Sequence, residues 1–452
     1  MKILALNGLL GYGYDADSLE IVKKMEIDYI GVDAGSTDPG PFYLGNGTSF
    51  TNRDAVKRDI ELVLPYAVEK KIPFVIGTAG GSGGNVHVEW LREIINEIAE
   101  EKKLNFRMAI VETEVTKQYV LAKMEGDKVV NMSPRFELTK ANVERCVRIV
   151  SQVGVDPIIN ALRTGVDVVL CGRCCDTAIY AAPALLSGMD EGLAVHMAKI
   201  MECGALCAEP MTAADCLLAT IEKDSFTLEP VNPARKCTIA RVAAHTMYEQ
   251  GNPYYIYEPN GYADLKDAQY EQISARSVRV KNSKFHTAEQ PTLKLEGAML
   301  EGYKTITIAG INDPETIRHI DDIMETVKNF VAKNMQGKVS PTDYTITLHK
   351  YGIPLNGEAW GARIPDCSLG IVLEVVAKTQ GIANTICALA RARTLHTDYP
   401  GRKSSAGNLA FPYSPSDIPC GPVYSFGIYH LVKTDDLNET SKMYEVSVGE
   451  LK

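Results

Sequence analysis

A glycine-rich segment, residues 77–85, has the clearest capacity for chemistry in this chain. Five of its nine residues are glycines, so its backbone N–H groups can approach a ligand closely. A helix that begins after Asn85 would add the partial positive charge of its N-terminus. The segment therefore predicts a site for a carboxylate, phosphate or thioester oxygen. Substrate contacts are expected from Thr78, Gly80, Gly81, Ser82, Gly83 and Asn85.

Two other interpretations of this segment stay open. It could bind a nucleotide, although it has neither the GxxxxGKS/T nor the GxGxxG spacing. It could also be a flexible loop without a ligand.

Two carboxylates and two hydroxyls lie close together at Asp33, Ser36, Thr37 and Asp38. Such a group at a strand end can act as a general base, bind ligand hydroxyls or hold a divalent ion. Asp33 is the predicted catalytic residue because it lies nearest the strand, and the other three are predicted to bind substrate. The alternative is that both carboxylates only accept hydrogen bonds from the backbone.

Arg173 and Asp176 follow another apolar strand. Arg173 can bind a carboxylate or phosphate through two N–H groups, and Asp176 can orient it or move a proton. Glu202, at the end of a predicted helix, is a third acid or base. All three are predicted to be catalytic, and the alternative is an Arg–Asp pair that only braces the loop. Asn7 and Gly8 follow the first strand and are predicted to contact substrate.

Four cysteines have spacings that zinc or an iron–sulfur cluster would tolerate: Cys171, Cys174, Cys203 and Cys207. Cys174 is followed directly by another cysteine, which is awkward for a ligand set, and free cysteine is commonly a small buried apolar residue. We therefore assign no metal site to them. His87 is expected to be a solvated loop histidine.

Short apolar runs alternate with helical patterns in the first part of the chain. This order predicts an α/β fold with a Rossmann-like, mostly parallel sheet covered on both faces. The polar segments all follow strands, and ligands bind beyond the carboxyl ends of the strands in such sheets. Strands are predicted over residues 3–6, 29–32, 73–76, 106–111 and 166–170, and helices over residues 19–24, 53–70 and 90–102.

The last part of the chain predicts a second kind of domain. Its elements follow the order βαββαβ, which is the ferredoxin-like α+β motif. The first helix should begin at Pro314, with Asp313 as its N-cap. Strands are predicted over residues 303–309, 344–349, 369–377 and 423–431, and helices over residues 314–334 and 379–393. The predicted domains are residues 1–210, a connecting α+β segment over 211–290, and 291–452.

Composition excludes several classes of protein. Apolar residues make up 45% of the 452 residues and charged residues 23%, which is typical of globular proteins and not of disordered ones. The net charge of -10 argues against a nucleic-acid groove. No apolar run approaches the roughly 18 residues that cross a bilayer, so no membrane partner is expected. Eleven cysteines without a secretion signal predict reduced thiols and a cytoplasmic protein.

Several long motifs resemble the acyclic terpene utilisation (AtuA-type) family. In that family a strand ends in G-R-x-x-D-x-A/S and is followed by A-P and by an E-C-G-A helix end. The resemblance extends over residues 1–433. Its matching stretches are residues 167–178, 182–183, 202–205, 248–257 with Asp264, and 408–424.

The resemblance implies carbon metabolism of branched acids or acyl-CoA, because the family is named for the degradation of citronellol- and geraniol-type terpenes through CoA thioesters. It also implies a small companion domain, which we expect here as a separate subunit. Arg235 and Lys236 replace a small, glycine-bearing segment of many relatives. This departure makes terpene-derived substrates doubtful and suits a more anionic substrate.

Together these features predict a hydratase or C–O lyase acting on a small branched di- or tricarboxylic acid or its CoA thioester. The glycine segment and Arg173 would hold a substrate oxygen, while Asp33 and either Asp176 or Glu202 divide the base and acid roles. No cofactor is assigned, although a divalent ion on Asp33 and Asp38 stays open, as does CoA as part of the substrate. The rivals are a non-catalytic ligand-binding or scaffold subunit and a nucleotide-dependent ligase or dehydrogenase. Self-association into a homo-oligomer is also expected.

Overall fold

The computed structural model describes residues 1–133, 136–352, 368–403 and 408–449. The chain forms two compact units. Unit 1 comprises Met1–Met299 and Phe426–Lys452, and unit 2 comprises Leu300–Ser425. The predicted division into 1–210, 211–290 and 291–452 remains a prediction.

Most of the regular structure belongs to unit 1. Its elements up to residue 287 are, in chain order, β1 (Lys2–Ala5), α1 (Ala16–Val22), β2 (Tyr29–Asp33), α2 (Phe42–Asn46), α3 (Arg53–Lys70), β3 (Phe74–Gly77), α4 (Asn85–Lys102), β4 (Phe106–Glu112), α5 (Lys117–Glu125), β5 (Val129–Asn131), α6 (Lys140–Arg145), β6 (Cys146–Gln152), α7 (Val155–Arg163), β7 (Val168–Cys171), α8 (Ala178–Leu186), α9 (Glu191–Met201), β8 (Ala208–Glu209), β9 (Leu217–Ile221), β10 (Ser225–Pro230), β11 (Lys236–Cys237), α10 (Ile239–Thr246), β12 (Tyr255–Glu258), β13 (Gly261–Asp264), β14 (Gln269–Gln272), β15 (Val278–Lys281) and β16 (Lys284–Thr287).

The chain enters unit 2 within one long strand and returns to unit 1 within another. The remaining elements are β17 (Thr292–Ile311), α11 (Pro314–Arg318), α12 (Ile320–Met335), β18 (Tyr344–Tyr351), β19 (Leu369–Ala377), α13 (Gln380–His396), β20 (Asp417–Lys433) and β21 (Lys442–Val448).

The large sheet of unit 1 is mixed, with the order β14-β15-β10-β9-β1-β2-β3-β7-β4-β21. Its five central strands, which are β1, β2, β3, β7 and β4 in sheet order, are parallel, as the sequence predicts. Antiparallel strands extend both edges, which the sequence did not predict. The α/β class with a large sheet is therefore confirmed, while the name Rossmann-like stays a prediction.

Helices cover both faces of this sheet. Successive side chains of a strand point to opposite faces, so each central strand packs against both layers of helices. On one face Leu4 of β1 and Leu6, which follows this strand, pack with α1, α3 and α4. On the other face Ile3 and Ala5 pack with α7, α8 and α9. The near-continuous apolar runs of the central strands follow from this double burial.

The strand order also explains where a ligand site is expected. After β3 the chain continues into α4 on one face, and after the neighbouring β7 it continues into α8 on the other face. In such sheets a ligand site is expected beyond the carboxyl ends of β3 and β7.

Unit 2 contains the predicted order of strands and helices, with the sheet order β18-β19-β17-β20. The ferredoxin-like name for it stays a prediction. Asp313 caps α11 and Pro314 is its first residue, as expected. The predicted helix over residues 314–334 is wrong in one respect, because the chain leaves the helical conformation at His319. Ile317 and Ile320, on either side of this break, pack in one apolar cluster, and Ile323 packs in another.

None of the helices in the described residues is long and apolar enough to span a membrane.

Candidate functional site

A cavity of about 250 Å³ in unit 1 lies beyond the carboxyl ends of β1, β2 and β7 and beside the C-terminal end of α9. Carboxyl groups from four segments of the chain line it. The lining residues are Gly8, Leu9, Tyr12, Asp33, Gly35, Ser36, Asp38, Pro39, Phe50, Asp176, Glu202, Cys203, Leu206, Ala213, Tyr248 and Glu249.

The structure brings only part of the predicted site to this cavity. The predicted residues that line it are Gly8, Asp33, Ser36, Asp38, Asp176 and Glu202. Those that pack outside its lining are Asn7, Thr37, Thr78, Gly80, Gly81, Ser82, Gly83, Asn85 and Arg173. Of these nine, all but Asn85 are buried. Any contact of these nine with a ligand stays a prediction.

The glycine-rich segment lies between the loops that follow β2 and β7. A Cβ at position 35 would lie 2.6 Å from the Cα of Gly81, and a Cβ at position 83 would lie 2.1 Å from the backbone nitrogen of Arg173. Gly81 and Gly83 also have positive φ, at 93° and 68°. The glycines therefore allow three loops to pack closely behind the cavity, which is a positioning role.

The N-terminus of α4 already binds an anion of the protein itself. The backbone N–H of Asn85 donates to Oε2 of Glu114 at 2.8 Å. Arg148 lies 3.5 Å from the same oxygen. The sequence predicts that the partial positive charge of this helix N-terminus binds a ligand. In the structure the carboxylate of Glu114 already interacts with that charge.

Arg173 is buried and its guanidinium is surrounded by protein acceptors. Its Nε donates to Oε2 of Glu296 at 2.9 Å. Its Nη1 donates to the carbonyl oxygen of Cys174 at 3.0 Å and lies 3.4 Å from Oδ1 of Asp176. Glu296 is completely buried and also pairs with Lys294 at 2.7 Å. Arg173 thus supports Asp176 from behind the cavity wall.

Asp33 and Asp176 form an interacting pair of carboxyl groups. Burial raises the pKa of Asp33 well above its usual range, and the negative charge of Asp176 adds to the effect. Burial also raises the pKa of Asp176, but the positive charges of Arg173 and Lys199 oppose it. The pair therefore titrates as a unit in which Asp176 is the member that holds negative charge more readily.

Glu202 is a further carboxyl group of the cavity; it is buried and caps the C-terminal end of α9. Burial raises its pKa to about 8, although the ion pair with Lys199 acts in the opposite direction. Glu202 can therefore take up a proton nearer to neutral pH than an ordinary glutamate does, at the expense of its ion pair with Lys199. A protonated carboxyl group can donate a proton to a substrate.

The cavity has an acidic lining. Asp38 and Glu249 add two carboxylates to Asp33, Asp176 and Glu202, and the lining contains no lysine or arginine from the residues that the structure describes. The nearest cations serve as partners of Glu202 and Glu296. Within the described ranges, no group of three or more histidine, cysteine, aspartate or glutamate side chains is arranged to hold a metal ion.

Sequence reasoning missed several residues of this region. Tyr12, Phe50 and Tyr248 add aromatic surface to the cavity. Tyr180 is fully buried, and its hydroxyl has no hydrogen-bond partner among the described residues. Burial raises its pKa, and the charges of Asp33 and Glu202 raise it further. The sequence contained one signal for Tyr180, which is its hydroxyl group in the otherwise apolar α8.

Asn7 stabilises the loop that contributes Leu9 and Tyr12 to the cavity. Its amide donates to the carbonyl oxygen of Gly13 at 3.1 Å and to Asp59 at 3.3 Å. Asp59 is fully buried and also accepts from the backbone N–H of Gly13 at 3.0 Å. Asn7 therefore contacts the protein rather than lining the cavity.

The expectation of a solvated His87 is wrong. His87 lies in α4 and is buried, with Nε2 3.1 Å from the carbonyl oxygen of Tyr43 and 3.2 Å from that of Thr48. Burial lowers its pKa to about 4, so it is neutral at physiological pH.

The four predicted thiols are not gathered into one group. Cys171 and Cys174 contact each other, whereas Cys207 lies 4.0 Å from the sulfur of Cys237. Cys171, Cys174, Cys207 and Cys237 are buried in the apolar core, whereas Cys203 is half-buried and lines the cavity.

A family model described as acyclic terpene utilisation family protein AtuA matches residues 19–352 of the chain. The matched range includes Asp33, Asp176 and Glu202. No curated protein and no solved structure matches the chain.

Proposed function

The chain belongs to the acyclic terpene utilisation AtuA family, and from this membership we propose that it is a hydratase or C–O lyase. Its substrate would be a small branched di- or tricarboxylic acid or the CoA thioester of such an acid. The observation that supports this proposal is the convergence of Asp33, Asp176 and Glu202 on one cavity, with different tendencies to hold a proton.

Loss of water from a hydroxy acid needs a base and an acid at once. In the proposed reaction, Asp176 removes the proton from the carbon next to the carbonyl group, and Glu202 protonates the hydroxyl group as its bond to carbon breaks. The electron pair of the C–H bond becomes the new double bond, and the hydroxyl group leaves as water. Asp33 modulates the charge of Asp176, and solvent restores both protonation states.

The acidic lining of the cavity favours one chemical form of the substrate over another. Two carboxylates and three further carboxyl groups repel a carboxylate ligand that enters without a counter-ion. A thioester has lost the negative charge of the acid from which it is made. We therefore favour the CoA thioester over the free polycarboxylic acid, with its remaining charges outside this cavity.

The nucleotide-dependent alternative receives less support. The glycine-rich segment is buried between two loops, and the N-terminus of α4 binds Glu114. A phosphate would need to displace this carboxylate. The separate companion subunit and the homo-oligomer remain proposals, which size-exclusion chromatography with light scattering would measure.

The experiment is a hydration and dehydration assay with branched 3-hydroxyacyl-CoA and 2-enoyl-CoA thioesters in deuterated water. Mass spectrometry would measure the gain or loss of water and the entry of deuterium next to the carbonyl group. We expect Asp176→Asn and Glu202→Gln to lower turnover by a factor of roughly 10² to 10⁴.

Glu191→Gln is the matched control, because Glu191 begins the same helix that Glu202 caps and lies outside the cavity lining. It should leave turnover unchanged. Equal turnover by wild-type protein, Asp176→Asn and Glu202→Gln would contradict the mechanism. Binding of the thioesters without any turnover would instead favour a ligand-binding subunit.

A further inference from the structure

Unit 1 contains a second cavity, of about 510 Å³, that the proposed reaction does not use. Its lining includes Cys175, which directly precedes Asp176 of the first cavity. The other lining residues are Met132, Gln152, Tyr257, Glu258, Pro259, Gly261, Tyr262, Ala288, Gln290, Thr292, Lys294 and Leu431. Its volume lies within the range of roughly 300–1,000 Å³ that is usual for small-molecule sites.

The walls of this cavity are mainly apolar. Tyr257 and Tyr262 present rings whose centroids are 6.0 Å apart, and Leu431 and Pro259 add aliphatic surface. Tyr257 is 67% exposed and Met132 is 48% exposed, although both are large apolar side chains. A ligand that covers them would remove this apolar surface from water.

Lys294 supplies the positive charge of the cavity. Its side chain is 17% exposed, and its Nζ lies 2.7 Å from Oε1 of Glu296 and donates to the hydroxyl of Tyr429 at 2.9 Å. An ammonium group has three N–H donors, and the third has no acceptor among the described residues. Lys294 can therefore donate one hydrogen bond to a ligand in the cavity.

The charged groups of this cavity are compatible with an anion. Among the described residues, Lys294 is the one cation of the lining, and it shares the carboxylate of Glu296 with Arg173, which also pairs with Asp176. Glu258, the one acidic residue that the described part of the chain contributes to the lining, accepts from Thr177 at 2.6 Å, and burial raises its pKa to about 7. It therefore repels an anion less than an ordinary carboxylate does. The first cavity, in contrast, is lined by five carboxyl groups and by no lysine or arginine of the described residues.

We propose that this second cavity binds an apolar monocarboxylate, with its carboxylate on Lys294 and its hydrocarbon body against Tyr257, Tyr262 and Leu431. A charge-assisted hydrogen bond in a largely apolar cavity provides selectivity for the anion. The site is distinct from the proposed catalytic cavity and does not depend on the activity assigned there.

The test uses cyclohexaneacetate and its uncharged amide as probes of the full-length protein. Isothermal titration calorimetry should show that the wild-type protein binds the carboxylate more tightly than the amide. Lys294→Met should weaken binding of the carboxylate by roughly tenfold to a hundredfold, and that of the amide by much less. Lys294→Arg keeps the charge and should retain most of the preference for the carboxylate.

Two further substitutions, each of which fills one of the two cavities, show which cavity the probe occupies. Ala288→Phe occupies the second cavity without removing Lys294 and should abolish binding of both probes. Ala213→Phe occupies the first cavity and should leave binding unchanged. The proposal is overturned if Ala213→Phe abolishes binding while Ala288→Phe does not, if the amide binds as well as the carboxylate, or if neither probe binds the wild-type protein.

Discussion

Replacing Glu296 by glutamine should destabilise unit 1 by about 3 kcal/mol at neutral pH. Glu296 is completely buried between Arg173 and Lys294. Burial alone would raise its pKa, but the two positive charges outweigh burial and lower the pKa from 4.5 to about 2. One pKa unit is worth about 1.4 kcal/mol, so this change corresponds to about 3 kcal/mol in favour of the folded state. Removing one partner of a buried ion pair costs about 3–5 kcal/mol, which agrees.

The pH dependence of this effect has a definite sign. The pKa of Glu296 is lower in the folded state than in the unfolded state, so its stabilisation is complete above pH 4.5 and is lost as the pH falls toward 2. The difference in free energy of unfolding between the wild-type protein and Glu296→Gln should be constant from pH 7 to about 5 and should shrink below that range.

Urea unfolding followed by tryptophan fluorescence would measure this difference. The chain has two tryptophans, so a Trp360→Phe background leaves Trp90 of α4 as the reporter of unit 1. Glu97→Gln is the matched control, because Glu97 also bridges two cations, Arg53 and Lys57, but lies at the surface. It should cost much less than Glu296→Gln, because water and salt screen an exposed ion pair. A loss of less than 1 kcal/mol for Glu296→Gln, or a loss that grows toward acidic pH, would refute the reasoning.

Three further predictions follow from the same geometry. Gly83→Ala should lower stability by at least about 2 kcal/mol, because its Cβ would meet the backbone of Arg173 and its φ is positive. Calorimetric melting would measure this, with Gly40→Ala as the control, since Gly40 also has positive φ but open space around it. Turnover of a dehydration substrate should fall above about pH 8 as Glu202 loses its proton, and a pH–rate profile in which Glu202→Gln retains that decline would contradict the assignment. Glu114→Gln should cost about 0.5–1 kcal/mol by removing the negative charge at the N-terminus of α4, and a thermal melt that does not change would show that this charge is unimportant.

Three residues that the sequence predicts to be catalytic line one cavity, while their catalytic roles stay predictions. Asp33, Asp176 and Glu202 were identified because polar residues that follow buried strands or end a helix are exposed to the same edge of the sheet, and all three line one cavity. The glycine-rich segment was also recognised, but its spacing does not reveal what the glycines approach. They approach other loops of the protein, and only the positions of those loops could show this.

Sequence reasoning could not identify several residues that pair with the site, because they are distant from it in the chain. Glu296 lies 123 residues after Arg173 and determines where its guanidinium points. Glu114, which occupies the N-terminus of α4, comes from the segment after β4. Side chains such as these have no periodic pattern that links them, so their pairing depends on which strands become neighbours.

The sequence by itself determined the local structure of this protein: the alternation of buried strands and amphipathic helices, the cap at Asp313 and the polar residues at the strand ends. These features depend on contacts between residues a few positions apart. The tertiary structure decided the order in which β7 separates β3 from β4, the antiparallel strands at both edges of the sheet and the acidic character of the cavity. Each depends on hydrogen-bond ladders and charge pairs between distant segments, which the folded chain alone brings together.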